Sequence, residues 1–262
     1  MVEVKTVLTE RFEMDYISFG SGPGTLVLIP GMSLRSVLLQ REAVAGVYKP
    51  FWDRYTIYLF DRVRDVREGY TIKDMADDTA AAMQALGLSS VHMIGHSQGG
   101  MIAMHIAAGY PELVGKLVLS STSAFLNDGS RSIMEKWSAM AAGDDVAELN
   151  RSMFGTIYSD EYLSKYKQAF EYLENLGTRK EMDRLKVFTD ACLTHDAREA
   201  LKAIRCPVFI LCSARDRIFP SSDSEYMAAV TGARLYVYEG YSHAVYDEAP
   251  DFKSRMLGFL TE

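Results

Sequence analysis

This chain of 262 residues predicts an α/β fold: a mostly parallel central sheet of about eight strands, flanked by helices and interrupted by a helical insertion. Three observations lead there. Short apolar runs, rich in β-branched and aromatic residues, alternate with helical patterns along most of the sequence. Many of these runs are apolar on both alternating faces, as strands of a sheet covered on both sides must be. The alternation breaks once, from about Ala124 to Asp196, where only helical segments occur.

Taken in order, Glu3 to Ser18 predicts an opening antiparallel pair at one edge of the sheet. The runs Thr25–Ile29, Ile57–Phe60, Val91–Ile94, Leu117–Leu119, Val208–Cys212 and Leu235–Tyr238 supply the remaining strands. Between them, Ile72, Met75, Thr79, Met83 and Leu86 follow a 3.6-residue period, and Gly87 stands where a helix would be capped. A last helix starting near Pro250 aligns Phe252, Met256, Phe259 and Leu260. Within the insertion, Tyr158, Tyr162, Tyr166 and Phe170 recur every four residues, which predicts an aromatic stripe along one helix that packs the insertion onto the body. The basic residues Arg179, Lys180, Arg184 and Lys186 are expected on a solvated face. Repeated strand–helix alternation implies right-handed crossovers and a ligand site outside the carboxyl ends of the strands.

Composition is that of an ordinary globular protein, with 48% hydrophobic and 24% charged residues, so disordered, collagen-like and coiled-coil classes are excluded. The net charge of −7 argues against a nucleic-acid partner or a broad anionic-membrane footprint. No apolar run approaches the 18 or so residues of a membrane span, so no membrane insertion is expected. The three cysteines, Cys192, Cys206 and Cys212, cannot all pair, which fits a reducing, cytoplasmic setting. Oligomeric state is not encoded in any of these features.

Gly95-His-Ser-Gln-Gly99 matches G-x-S-x-G. The motif follows an apolar run and opens a helix containing Ile102, Ala103, Ile106 and Ala107, the strand–turn–helix setting that exposes a nucleophilic serine. Glycines on either side of so sharp a turn remove collisions that side chains would create. Ser97 is therefore the candidate nucleophile, and it needs a base held by a third group. Of five histidines, His92, His96 and His105 lie in a strand, the elbow and a helix, where packing roles are expected, and His195 ends the insertion. His243 follows the last strand in a loop, and Asp216 directly follows another strand. The chain order Ser, Asp, His then has every member just after a strand.

With these residues the chain resembles the α/β-hydrolase fold superfamily, in its form with a serine nucleophile and a helical cap inserted after the sixth canonical strand. The resemblance spans nearly the whole chain: the Thr25–Gly31 strand and turn, the Gly95–Gly100 elbow, the insertion, the Pro207–Pro220 segment and the Gly240–His243 loop. It implies a core domain of residues 1–123 and 197–262, a cap of residues 124–196, and a triad of Ser97, Asp216 and His243. It also implies that the backbone N–H groups of Met32 and Gln98 form an oxyanion hole. Two features depart from the pattern. The turn after the third strand reads Ile29-Pro-Gly-Met-Ser33, without the His-Gly pair many relatives carry. The next loop, Asp61-Arg-Val-Arg-Asp-Val-Arg-Glu-Gly69, replaces a common Asp-x-Arg-Gly-x-Gly segment, and Asp61 is expected to order it.

The resemblance implies a serine hydrolase that acts on carboxylic esters, thioesters or lactones of small to medium acyl compounds through an acyl-enzyme. It implies neither a metal nor an organic cofactor, and its partner is a small-molecule acyl substrate. Hydrolysis of a carbon–carbon bond and cofactor-free perhydrolase activity are alternatives on the same triad, and a non-catalytic ligand receptor is the alternative of another class. Met134, Trp137, Met140, Met153 and Phe154 of the insertion either line an acyl pocket or form the insertion's own core.

Overall fold

The computed structural model describes residues 1–262. Eight strands form one sheet: β1 (Val4–Leu8), β2 (Glu13–Phe19), β3 (Gly24–Ile29), β4 (Tyr55–Val63), β5 (Val91–His96), β6 (Val114–Ser120), β7 (Val208–Ser213) and β8 (Arg234–Tyr238). Their order across the sheet is β1-β2-β4-β3-β5-β6-β7-β8. Only β2 runs against its neighbours, antiparallel to both β1 and β4, and every pairing from β4 to β8 is parallel. The expected fold class is the observed one.

Both faces of the sheet are buried, as the unbroken apolar runs require. In β3, Val27 and Ile29 enter the core beneath α2 (Ile72–Ala85) and α3 (Gln98–Gly109), while Leu26 and Leu28 enter a second core with Phe252 and Met256 of the last helix. The helix starting at Ile72 has the predicted apolar face. Thr71 opens it with a capping box to Asp74, and Gly87 stands just past its end with φ +68°.

Between β6 and β7 the chain makes a helical excursion: α4 (Asp128–Ala142), α5 (Val146–Ile157), α6 (Asp160–Lys165), α7 (Lys167–Glu174) and α8 (Arg179–Leu193). An isolated antiparallel bridge between Phe125 and Asp196 ties its two ends together. Numbered in chain order with α1 (Arg41–Val47), the remaining helices are α9 (Arg198–Ala203), α10 (Ser221–Thr231), α11 (Val245–Glu248) and α12 (Phe252–Thr261).

Three sequence expectations need correction. The aromatic residues at four-residue spacing do not share one helix. Tyr158 caps the end of α5, Ser159 restarts the chain as the N-cap of α6, and Tyr166 separates α6 from α7. The rings nevertheless meet, with centroids 5.2 Å apart for Tyr158–Tyr162, 4.6 Å for Tyr162–Tyr166 and 5.0 Å for Tyr158–Phe170. Arg184 leaves the solvated face: its guanidinium reaches Asp61 at 3.2 Å. The last helix begins at Phe252 rather than at Pro250, because the residue before a proline is pushed out of helical conformation; Ala249 is extended, with ψ 122°, and ends the short α11.

Strand ends are what position the site. Ile29, Gly95 and Leu119 lie in register across β3, β5 and β6, and Ser120 faces Leu211 across β6 and β7. The loops leaving these strands, and the one after β8, open at one edge of the sheet.

Candidate active site

Ser97 sits between β5 and α3 with φ 52° and ψ −122°, a strained conformation for a residue bearing a side chain. Surrounding bonds hold the turn there. Its N–H donates to Ser120 O at 2.9 Å, and its carbonyl accepts from Gly100 N–H and from Thr122 Oγ1, both at 2.8 Å. Close backbone approach explains the glycines: a Cβ on Gly99 would lie 2.0 Å from Ile29 O, and one on Gly95 would lie 2.6 Å from Gly99 O.

His243 Nε2 lies 3.0 Å from Ser97 Oγ. On its other side, His243 Nδ1 is 2.9 and 3.0 Å from the two carboxylate oxygens of Asp216. Asp216 Oδ1 also accepts the backbone N–H groups of Ile218 (2.8 Å) and Phe219 (3.0 Å), which fixes the carboxylate plane. The Asp216 and His243 side chains are buried, 0% and 2% exposed, so their contact is not weakened by solvent. Ser213 Oγ donates to Tyr238 O and Tyr241 O, tying the loop that carries Asp216 to the one that carries His243. The three residues the sequence singles out, far apart in the chain, meet in one place.

Ser97 Oγ faces a cavity of about 370 Å³, open to solvent. Gly31, Met32 and Gln98 form one wall. Gln98 is the first residue of α3, so its N–H has no partner within the helix. Met134 and Trp137 of α4 line the cavity as the sequence suggests; Met153 is instead buried in the insertion's core, and Phe154 packs on Phe170 at 5.1 Å. Sequence reasoning missed Ile157, Ile218, Phe219, Cys192 and Tyr246. Ile218–Phe219 and Tyr246 stand two or three residues after Asp216 and His243, and that proximity was the available signal.

The other histidines have packing partners. His96 Nε2 is 2.9 Å from Tyr48 OH and its ring packs on Tyr246; burial pushes its pKa down to about 3. His195 Nε2 donates to Ser123 O at 3.2 Å, and burial likewise holds its pKa to about 3. His92 pairs with Tyr55 OH, and His105 meets the His195 ring edge-on. No three His, Cys, Asp or Glu side chains converge into a metal-ligand set.

The Gln98 side chain reaches away from Ser97 into the insertion. Its amide donates to Phe188 O at 2.9 Å and to Cys192 Sγ at 3.3 Å, both on α8. Its Oε1 accepts from Arg62 Nη2 at 3.3 Å. The loop that Asp61 is expected to order does not begin at that residue; instead β4 runs on through Val63, and Asp61 sits within the strand, accepting the Arg62 backbone N–H at 2.7 Å and the Arg184 guanidinium at 3.2 Å.

Comparison with known proteins agrees with this architecture. The family model for the alpha/beta hydrolase fold matches residues 25–250. A relative from Caulobacter sp. (strain K31), named "Putative carbamate hydrolase RutD", is 26% identical over 250 residues, covering 88% of this chain and 92% of that protein. The mouse serine hydrolase BPHL is 23% identical, covering 96% of this chain and 84% of its own. Among solved structures, MGS-M2, an alpha/beta hydrolase enzyme from a Medee basin deep-sea metagenome library, superposes with a TM-score of 0.87 at 21% identity, over 98% of both chains. The chain belongs to the alpha/beta hydrolase fold family, and it is an enzyme of the hydrolase class.

Proposed function

We propose that the protein is a serine hydrolase of carboxylic esters, with Ser97 as nucleophile, His243 as general base and acid, and Asp216 as its orienting partner. The observation that carries this reading is the unbroken chain of contacts from Ser97 Oγ through His243 to the buried Asp216.

His243 Nε2 takes the Ser97 proton as Oγ attacks the ester carbonyl, and Asp216 holds Nδ1 protonated and stabilises the imidazolium. The N–H groups of Met32 and Gln98 receive the developing oxyanion, each contributing about 3 kcal/mol in sites of this kind. His243 then protonates the departing alkoxide. Water, activated by the same imidazole, releases the acid from Ser97. Serine as nucleophile forms an ester intermediate with the acyl group, which suits carbonyl substrates, lactones and thioesters included.

In this reading residues 124–196 act as a cap over a core of residues 1–123 and 197–262, with Met134 and Trp137 forming the roof of the acyl pocket. A carbamate carbonyl is attacked by the same steps, and the name of the Caulobacter relative places a carbamate in the substrate panel.

p-Nitrophenyl acetate, butyrate and octanoate, with a p-nitrophenyl carbamate, test the proposal. Wild type is expected to turn over at least one of them, and Ser97→Ala to lose about 10⁴-fold or more of kcat, the scale set by removing a triad nucleophile. Equal rates for the two proteins would refute it.

A further inference from the structure

A second, shallow cavity, about 250 Å³ with its solvent-open mouth included, shares the wall of Gly31, Met32 and Gln98 with the cavity at Ser97. Its chemistry differs. Asp61, Arg62, Arg184 and Phe188 line it, so two guanidiniums face a single carboxylate. That carboxylate is already engaged: Asp61 Oδ1 binds Arg184 and the Arg62 backbone amide. The Arg62 guanidinium reaches only neutral acceptors, Pro30 O at 2.9 Å and Gln98 Oε1 at 3.3 Å, although the residue is just 4% exposed.

The hydrogen-bond inventory points the same way. Each guanidinium has five N–H donors. Every side-chain hydrogen bond that Arg62 and Arg184 make runs through Nη2, and Nε of each is buried with no partner. Burying a cation whose counter-charge is shared is expensive: burial draws the Arg62 pKa down to about 10, Asp61 offsets this only in part, and Arg184 adds a like charge. A purely structural role for Arg62, clamping Pro30 to Gln98, accounts for its Nη2 contacts but leaves the free Nε and the excess of two guanidiniums over one carboxylate unexplained. An oxyanion in the cavity supplies what is missing, because planar carboxylates match guanidinium donors in pairs.

We infer that this cavity is a carboxylate subsite for the substrate, so that the preferred ester carries a free carboxylate beside the bond that is cut. The inference rests on Ser97 being the hydrolytic nucleophile, yet binding can be measured without turnover. Ser97→Ala protein would be titrated calorimetrically with two pairs of esters. One pair is mono-p-nitrophenyl glutarate and its methyl ester, with the carboxylate on the acyl side; the other is 4-carboxyphenyl butyrate and its methyl ester, with the carboxylate on the leaving group.

The anionic member of at least one pair is expected to bind tenfold or more tightly than its methyl ester. The ratio should collapse toward one when Arg184→Gln is added. Should that variant fail to fold, raising salt from 20 to 500 mM on the Ser97→Ala protein should shrink the ratio severalfold, since part of the attraction is screened. Equal binding within both pairs, or a preference untouched by both Arg184→Gln and salt, would overturn the subsite. Failure of the hydrolase reading shows separately, as a wild type that turns over neither neutral nor anionic esters.

Discussion

The Asp216 side chain has no exposed surface, and its two oxygens are committed to His243 Nδ1 and the amides of Ile218 and Phe219. Asp216→Asn keeps the shape but turns an amide N–H₂ toward Nδ1, favouring the tautomer that cannot accept the Ser97 proton. Ester hydrolysis kinetics are expected to show kcat lower by about 10⁴-fold with KM little changed; a loss below tenfold would take Asp216 out of its role. Two other buried histidines set a pH effect on stability. His96 and His195 have folded pKa values of about 3, against roughly 6.5 in an unfolded chain. As pH falls below about 6.5, the unfolded chain binds protons that the folded protein does not take up until about pH 3. Stability is therefore full near neutrality and lost on acidification, by about 2 kcal/mol per histidine between pH 7 and pH 5. Urea unfolding at the two pH values checks this, and His195→Gln should remove part of the pH-dependent loss, the rest staying with His96 and with His92 and His105, whose pKa values burial also lowers.

At the level of elements, the sequence was most legible where periodicity and punctuation agree. Strands buried on both faces, such as β3 and β7, read as plain apolar runs, and α2 carried both its 3.6-residue face and its closing glycine. The insertion was less legible. Four-residue spacing of Tyr158, Tyr162, Tyr166 and Phe170 holds through two helix breaks because the rings cluster in space, and sequence period alone does not separate a helical stripe from a cluster of short helices. Arg184 was misplaced for a related reason: its partner, Asp61, lies 123 residues away, and no local pattern encodes so distant an ion pair. Pocket lining suffered similarly, with Met134 and Trp137 reaching the cavity while Met153 and Phe154 pack within the insertion. Met134→Ala should enlarge the acyl pocket and move the p-nitrophenyl ester optimum toward longer chains, at a stability cost of about 2–5 kcal/mol. An unchanged chain-length profile in a folded variant would show that α4 does not shape the acyl site.

Across the whole molecule, a register shared by β3, β5 and β6 brings separately encoded loops to one sheet edge, which is where ligands of open α/β sheets bind. Ser97, Asp216 and His243 were readable from sequence because each lies within five residues of a strand's carboxyl end and so takes its position from the sheet. Gln98 shows the limit of such reading. Its place after the nucleophile suggested only a backbone role, whereas its side chain joins the elbow to α8 and to Arg62, through contacts that exist only after the insertion folds back. The central claim is that Ser97 is a nucleophile activated by His243. Its most direct test is covalent labelling with a fluorophosphonate, followed by intact-mass and peptide mass spectrometry on wild type, Ser97→Ala and His243→Ala. One adduct per chain on the peptide containing Ser97, absent in Ser97→Ala and formed far more slowly in His243→Ala, is the predicted result; no adduct on folded wild type, or one that persists in Ser97→Ala, would contradict it.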